Sequence, residues 1–522
     1  GANLPGEGRI AWKATGAGEH PLPGEAAAWR SRRAWTVRVS DLPAPLETEP
    51  NDTPPLASLV PLPAAIQGRL DAAGGHPDTD CFRFTARRGV AYLLETTASR
   101  RGSPADTRIE VLWPDGRGVE RVRLQALRNS AITFRPETSD ETGIRFENWE
   151  EMELNDLLWC RGEVMKIFRA PQGPDSDTVL YAANGRRAGF FDTTPMAHYV
   201  DEPVYLVAPL DPGAAPVANG LPSFTLFHEN DDAARRDLGS DSRLFFTAPA
   251  DGDFLARVTD SRGFGGPGHA FELMLREAAP AFSVSLRGAG ATVAPASGQS
   301  FTVTADRRDG FEGPITVTIQ NPPSGWRVSS PLLIEAGHED AEGVLHAGVG
   351  ATPPSDAAWD AMTVVATAEV QGRPVAMAVN SLGRPKLAAE APRIRVHLDL
   401  PAGAGAASGS SNAALELESG GTTRARLRIE RLAFDGVVTF SVDNLPHGVI
   451  VENLGLNGIT FLADESEREI SLAAARWVQP QERPIFAVEQ QAGRQTSPPV
   501  LLRVRAPDLR AGNTRAPGAE GR

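Results

Sequence analysis

The 522-residue chain has only two cysteines, Cys81 and Cys160, too few for a disulfide-stapled scaffold. Each lies in a strand-like run, CFRF or LLWCRGEV, so a buried free thiol is expected of each ahead of a disulfide. Two cysteines do not identify a redox compartment. No apolar run approaches the ~20 residues of a membrane-crossing helix, so no membrane span is expected. The opening GANLPGEGRIAWK lacks the apolar core of a signal peptide, and the chain reads as soluble, either mature or a fragment. An excess of positive charge is missing too. Lys+Arg 52 against Asp+Glu 66 gives a net charge of −14, which opposes a phosphate backbone and excludes nucleic acid as an expected partner.

Familiar catalytic signatures are also missing. No G-x-S-x-G elbow, H-E-x-x-H pair or P-loop occurs, and HEDAE at His338 lacks the second histidine of a zincin. The glycines of RGFGGPG, Gly263 to Gly268, have neither the spacing nor the following helix of a dinucleotide fingerprint. A Ser-His-Asp triad is recognised by geometry, so sequence leaves it open.

What is present is β texture. Gly 51 and Pro 43 punctuate short apolar runs along the whole chain, as in β-sandwiches. Runs such as CFRFTA, AYLLETTA, RIEVLW, EVMKIFRA, PVYLVAP and FLARVTD carry period-two or β-rich patterns. The expected fold class is all-β: multidomain tandem β-sandwiches, one of them jelly-roll-like and carrying an inserted β-rich subdomain. The best helix candidate is NWEEMELNDLL, residues 148 to 158, with a turn as its alternative. Residues 1–44 hold RIAWKAT and AWTVRVSD, too little for a sandwich, expected to pair with a missing partner or pack on the next domain. The tail 506–522 has no apolar periodicity and is expected to be disordered or a linker.

An internal repeat spans residues 281–505. RRDGFEGPITVTIQNPPSGWRVSS matches ERLAFDGVVTFSVDNLPHGVIVEN, aligning Phe311 with Phe434, Asn321 with Asn444 and Gly325 with Gly448 at a constant offset of 123 residues. Each unit, 281–390 and 391–505, has the length of an immunoglobulin-like sandwich plus a linker. With no polar constellation in either copy, a spacer role is expected.

The stretch ETEPNDTP gathers Glu47, Glu49, Asn51 and Asp52 between prolines, in a segment too proline-broken for a helix or an inner strand. It reads either as a solvated acidic linker or as one wall of a Ca²⁺ site. Downstream lie HPDTDCFRF, GSPAD, a D-G turn at Asp115 and Gly116, HENDD, DSRLFFTAPADG and GGPG. In this order the segments resemble the bacterial pre-peptidase C-terminal domain, a secreted β-sandwich related in fold to the collagen-binding domains of clostridial collagenases. About a hundred extra residues separate the D-G turn from HENDD. The resemblance therefore implies one domain, 45–280, split by an insertion at 129–227.

The resemblance also implies Ca²⁺, with Glu47, Glu49, Asn51, Asp52, Asp78 and Asp80 at the matching positions. Asn230, Asp231, Asp232 and Asp241 offer further oxygens, and sequence does not say which converge. An acidic set without His or Cys suits calcium better than zinc. The alternative is that these acids cap turns and keep an edge strand soluble. Collagen binding does not carry over from the narrower relatives.

Within the insertion, Glu150, Glu151 and Glu153 beside Trp149 and Trp159 suggest a glycosidase pair, but one short segment does not place two acids across a cleft. Trp149 and Trp159 are better read as a ligand-binding surface able to stack on sugar rings. The expected protein is a non-enzymatic, secreted or cell-surface binding or scaffold protein, in the extracellular space or cell envelope, with a structural Ca²⁺ ion. Extracellular polysaccharide or protein is its expected partner. The alternative is the accessory, non-catalytic region of a secreted protease or other hydrolase.

Overall fold

The computed structural model describes residues 12–13, 15–21, 36–71, 76–171, 173, 175–288, 290–400, 414–452 and 458–507. Strands dominate these residues, with a single short α-helix at Asp356–Asp360. Two compact units divide the chain, Gly1–Ala278 and Ala279–Arg522.

In the first unit, a five-stranded sheet runs in the order Glu229–Asn230, Thr107–Leu112, Gly252–Asp260, Thr79–Ala86, Ser58–Leu59. A four-stranded sheet faces it in the order Arg243–Thr247, Ala91–Thr97, Ala270–Glu277, Ala64–Arg69. Alternation builds the core between them: Phe82 and Phe84 from one sheet, Tyr92, Phe246 and Phe271 from the other, all buried in one cluster. Phe84 meets Phe246 edge-on with ring centroids 6.2 Å apart. Each such ring contributes roughly 2–3 kcal/mol by leaving water. Gly252–Asp260 lies between Thr79–Ala86 and Thr107–Leu112, so chain from after the insertion fills a gap left by chain from before it. The sandwich is one split domain.

The insertion forms a seven-stranded antiparallel sheet that starts with Glu120–Ala131 and ends with Ser223–Phe227. Alternate residues bury on opposite faces: Leu158, Cys160 and Met165 on one, Val164 and Val207 with half-buried Trp159 on the other. The helix candidate is not a helix. Trp149–Glu151 makes a 3-10 turn and Leu157–Cys160 a strand. Asn148 and Asn155 take positive φ of 52° and 72°, which breaks helical winding, and pairing of Leu158 with Met165 and Leu206 claims the C-terminal half for the sheet.

Near the N-terminus, Gly18–Pro21 pairs antiparallel with Thr36–Val39, so part of AWTVRVSD finds its partner within residues 1–44. Most of RIAWKAT, and the tail from residue 508, lie outside the described residues.

In the second unit the repeat appears as duplicated topology. One sheet of the first copy orders Ala281–Arg287, Ser297–Arg308, Asp340–Ala347, Trp326–Val328; the second copy orders Ile394–Asp399, Thr422–Arg431, Glu467–Ala474, Val449–Glu452. The opposing sheets also correspond; a parallel strand, Thr292–Val293 on Lys386–Leu387 in the first copy and Ala414–Glu418 on Val500–Arg505 in the second, stands apart as a two-stranded sheet in the first and joins the larger sheet in the second. Aligned residues share backbone conformation. Asn321 and Asn444 have φ of 56° and 60°, and Gly325 and Gly448 have φ of 81° and 86°.

The two copies are joined by more than a linker. Val344, Phe486 and Val488 form one buried cluster, and Ser297 Oγ donates to Gln495 Oε1 at 2.6 Å. The nearly buried Arg483 pairs with Glu335, which also accepts from the backbone N–H of His447 at 2.9 Å. A polar seam thus exists where sequence suggested none.

The aligned glycines differ in what surrounds them. A Cβ at Gly325 would lie 3.2 Å from Ala351 Cα, whereas one at Gly448 would lie 2.5 Å from Trp477 Cη2. Gly325→Ala is expected to cost about 1–2 kcal/mol from left-handed strain, and Gly448→Ala more, because the indole must also move. Urea unfolding of the two variants checks the order.

Candidate metal centre

The lead-in to the sandwich crosses from one sheet to the other. Residues 43–47 run parallel to Ala64–Arg69, with Ala65 and Gln67 N–H donating to Pro43 and Pro45 carbonyls at 2.8 and 2.9 Å, and Glu47 N–H to Gln67 at 2.9 Å. By Asn51 the chain has reached the other sheet, where its carbonyl accepts from Cys81 N–H at 3.1 Å. Ser58–Leu59 then pairs parallel with Thr79–Ala86. ETEPNDTP therefore spans an open side of the sandwich, and its prolines suit a segment that leaves one edge strand for another.

This crossing brings Glu47 and Glu49 onto Asp80, with one carboxylate oxygen from each lying within 4.8 Å of the others. Glu47 Oε1 is held by Arg69 N–H at 2.7 Å, and Glu49 Oε2 by Asn51 N–H at 3.0 Å. Asp78, one residue from the start of its strand, accepts from Thr79 N–H at 2.9 Å and from Asp71 N–H. Asp80 and Asn51 are both 0% exposed. Both Asp80 oxygens, both polar atoms of the Asn51 amide, and Glu47 Oε2 are buried without a hydrogen-bond partner. Unpartnered buried carboxylate oxygens are costly, so such a group takes up protons or a cation.

The tendency to hold protons is visible in the carboxyls themselves. Burial pushes the Asp80 carboxyl up to about 9, with Glu47, Asp78 and Glu49 adding like charge. Asn51 beside it offsets this only in part and makes no well-aligned hydrogen bond. Burial likewise raises Glu47 to about 7 and moves Glu49 and Asp78 upward. The donor set is all oxygen, the type that Ca²⁺ prefers at six- to eightfold coordination. Glu47, Asn51 and Asp80 would supply the orphaned oxygens, with Glu49 and Asp78 beside them. Asp52 is exposed and reaches the group through Asp78.

One contributor escaped the sequence reading. A Cβ on Gly68 would lie 2.6 Å from Glu47 Oε2 and 2.3 Å from Phe271 Cζ, so this glycine makes room for the carboxylate. An isolated glycine inside the strand pattern AAIQGR was the available signal.

The other sequence candidates do not join the centre. Across the five-stranded sheet, Asp80 pairs with Val258, Val258 with Ile109, and Ile109 with Asn230, which puts Asn230 three strand spacings, about 14 Å, away. Asn230 Nδ2 donates to the carbonyls of Asp192 and Asp232, both at 2.7 Å, and its Oδ1 accepts from Arg243 N–H at 2.9 Å. Asp241 accepts from Ala98 and Ser99 N–H at 2.9 and 2.7 Å and from Arg100 Nε at 2.7 Å. Asp232 faces Arg236 at 3.8 Å, and Asp231, half-buried beside Asp232 and Asp106, is pushed up to about 6. Asn230 and Asp241 thus fasten loops. Trp159 stacks on Phe224 at 3.7 Å and 12° within an aromatic group that includes Tyr205, whereas Trp149 lies in the 3-10 turn.

Fold and site together define a multidomain protein of tandem β-sandwiches with a buried carboxylate centre at the edge of the first. No family model and no curated protein matches the chain. Among solved structures, it is similar to domains 5-6 of the S-layer protein SbsC (14% identity, TM-score 0.16, covering 44% of this chain and 99% of that one). It is also similar to the D0-D1 domain of intimin (13%, 0.16, 42% and 97%), and to domains 4-9 of SbsC (13%, 0.18, 68% and 48%). Identities and scores this low carry no inference about role.

The raised carboxyls set a pH dependence. A carboxyl whose folded value exceeds its unfolded value stabilises the fold fully below the unfolded value, and that contribution is lost as pH rises through the folded one. The metal-free first sandwich is therefore expected to weaken between about pH 4 and pH 9 as Glu47 and then Asp80 are forced to ionise. In Asp80→Asn the upper part of that decline should vanish. Thermal unfolding in EDTA across this range checks it; a wild-type curve as flat as the variant's would contradict it.

Proposed function

We propose that the chain is a non-enzymatic, extracytoplasmic scaffold or binding protein whose split sandwich is a pre-peptidase C-terminal-type module closed by a structural Ca²⁺ ion. The observation that carries this reading is the set of orphaned, fully buried oxygens of Asp80 and Asn51 facing Glu47. A divalent cation would neutralise them and tie the lead-in chain to the edges of both sheets. The carboxylates of Glu47, Glu49 and Asp80 face one another, which suits holding an ion. Calcium is plentiful outside the cell, and this supports an extracellular or envelope location.

The partner we propose is an extracellular polysaccharide or protein, bound through the insertion. Its support is the exposed aromatic side chains there, Phe134 at 66% and Tyr199 at 59%, which are better placed to meet a partner than the stacked Trp159.

Calcium should raise the unfolding transition of the first sandwich, by ~2.7 kcal/mol at a hundredfold excess over the dissociation constant. Mg²⁺, which demands tighter octahedral geometry, should do less. Asp80→Ala should abolish the shift, and Asp52→Ala, at the exposed rim, should only reduce it. A transition that ignores calcium in the wild type would remove the ion from this proposal and leave the carboxyls protonated.

A further inference from the structure

The insertion buries a second cluster of quite different chemistry. Cys160 ends the strand Leu157–Cys160, and Glu163 opens Glu163–Arg169. The two are paired across a tight hairpin whose loop is Arg161 and Gly162, with φ of 50° and 102°. His198 is fixed by a two-way backbone exchange with Glu137, both bonds at 2.9 Å. Glu202 follows after a turn in which Asp201 has φ of 67°. Cys160 Sγ lies 3.4 Å from His198 Nδ1 and 3.7 Å from Glu202 Oε2, and Nδ1 lies 3.0 Å from Oε2. Cys160 and His198 are 0% exposed.

Around these three atoms the neighbours set orientation. Glu163 accepts from His198 Nε2 at 2.9 Å, from Arg187 Nε at 2.7 Å and from Met196 N–H at 2.8 Å. Burial alone would push the Glu163 carboxyl up, but His198 and Arg187 outweigh it and hold it below the ordinary range. Glu163, fixed by Arg187 and Met196 N–H, stands opposite Nε2, so Nδ1 is the ring nitrogen turned toward Cys160 and Glu202. Arg161 takes the other Glu202 oxygen, Oε1, at 2.8 Å, leaving Oε2 facing the cluster.

We propose that Cys160 Sγ, His198 Nδ1 and Glu202 Oε2 are three ligands of a zinc site, with water in the fourth position. Tetrahedral zinc, with bonds of ~2.3 Å to sulfur and ~2.0 Å to nitrogen and oxygen, separates its ligand atoms by roughly 3.3–3.5 Å. The three separations above lie within a few tenths of an ångström of this. A histidine that ligates through one nitrogen while donating the other N–H to a carboxylate is the usual outer arrangement of such sites, and Glu163 provides it. At the metal a thiolate and a carboxylate neutralise Zn²⁺ and Arg187 balances Glu163, while the remaining positive charge, on Arg161 beside Glu202, is half exposed to water. Binding forms Zn–S, Zn–N and Zn–O bonds and releases the thiol proton, together with the Nδ1 proton when the ring is cationic, to solvent. A thiolate ligand favours zinc over calcium, so this site and the carboxylate centre would hold different ions.

A nucleophilic cysteine is the competing use of the same residues. It fits poorly, because Cys160 is fully buried and burial, with Glu202 and Glu163 nearby, pushes its thiol up to about 12. Catalytic thiols are partly accessible and shifted down.

The test uses the full chain, stripped with chelator, saturated with Ca²⁺ and titrated with Zn²⁺ or Co²⁺. Expected is a single zinc ion retained per chain, a higher unfolding temperature, and a thiolate-to-cobalt charge-transfer band. The band should persist in Cys81→Ser and disappear in Cys160→Ser. Glu202→Gln, isosteric and partly exposed, keeps the test decisive if Cys160→Ser does not fold, and should weaken zinc binding about tenfold or more. Asp80→Asn should leave zinc binding intact, which separates this site from the carboxylate centre. A wild-type protein that shows no cobalt–thiolate band and no zinc-dependent shift, or a band that survives in Cys160→Ser, overturns the proposal.

Discussion

Buried carboxylates that lack hydrogen-bond partners are the constraint on which the first sandwich depends. Glu47 arrives along the edge of one sheet, and Asp80 is buried near the start of Thr79–Ala86, the strand next to the edge of the other. The chain between them holds the two edges together on that side. Ionised and alone, these groups would repel one another and oppose closure. Protonated or bound to a cation, they would allow it. The cost of desolvating charge is thus written into the place where the domain is joined, and Gly68 makes the close approach sterically possible.

The insertion meets the same cost differently. Arg187, fully buried, spends its donors on Glu163 and on the carbonyls of Thr138, Glu141 and Met196. Buried charge is tolerated when it is paired and its remaining hydrogen bonds are made. This arginine ties the hairpin at Glu163 to segments on either side of it in sequence. It also aligns Glu163 with His198, so the geometry around Cys160 rests on a charge network as much as on apolar packing.

In the second unit the constraint is conformational. Asn321 with Asn444 and Gly325 with Gly448 turn both repeats through left-handed backbone at the same point, where asparagine and glycine are the least strained residues. Gly313 and Gly436 would each place a Cβ about 3 Å from the aligned rings of Phe311 and Phe434. Between the copies, the Glu335–Arg483 pair and the cluster of Val344, Phe486 and Val488 make a joint, which goes beyond the spacer suggested by sequence.

What could be read in the sequence was local. Alternation in TDCFRFTA and in EVMKIFRA determined strands with defined inner faces, because neighbouring side chains on a strand point to opposite sides. The repeat offset was legible because Asn and Gly are selected by backbone torsion at single positions. NWEEMELNDLL misled because its apolar spacing suits a helical turn and a strand about equally over so short a length. The lead-in acids could be named as a group, yet only strand register put Asp80 against Glu47 and left Asn230 three strands away. Nothing local marked Cys160, His198 and Glu202 as neighbours. They meet because sheet pairing and a buried arginine bring distant chain together, and it is tertiary structure that decides which polar groups lose their water.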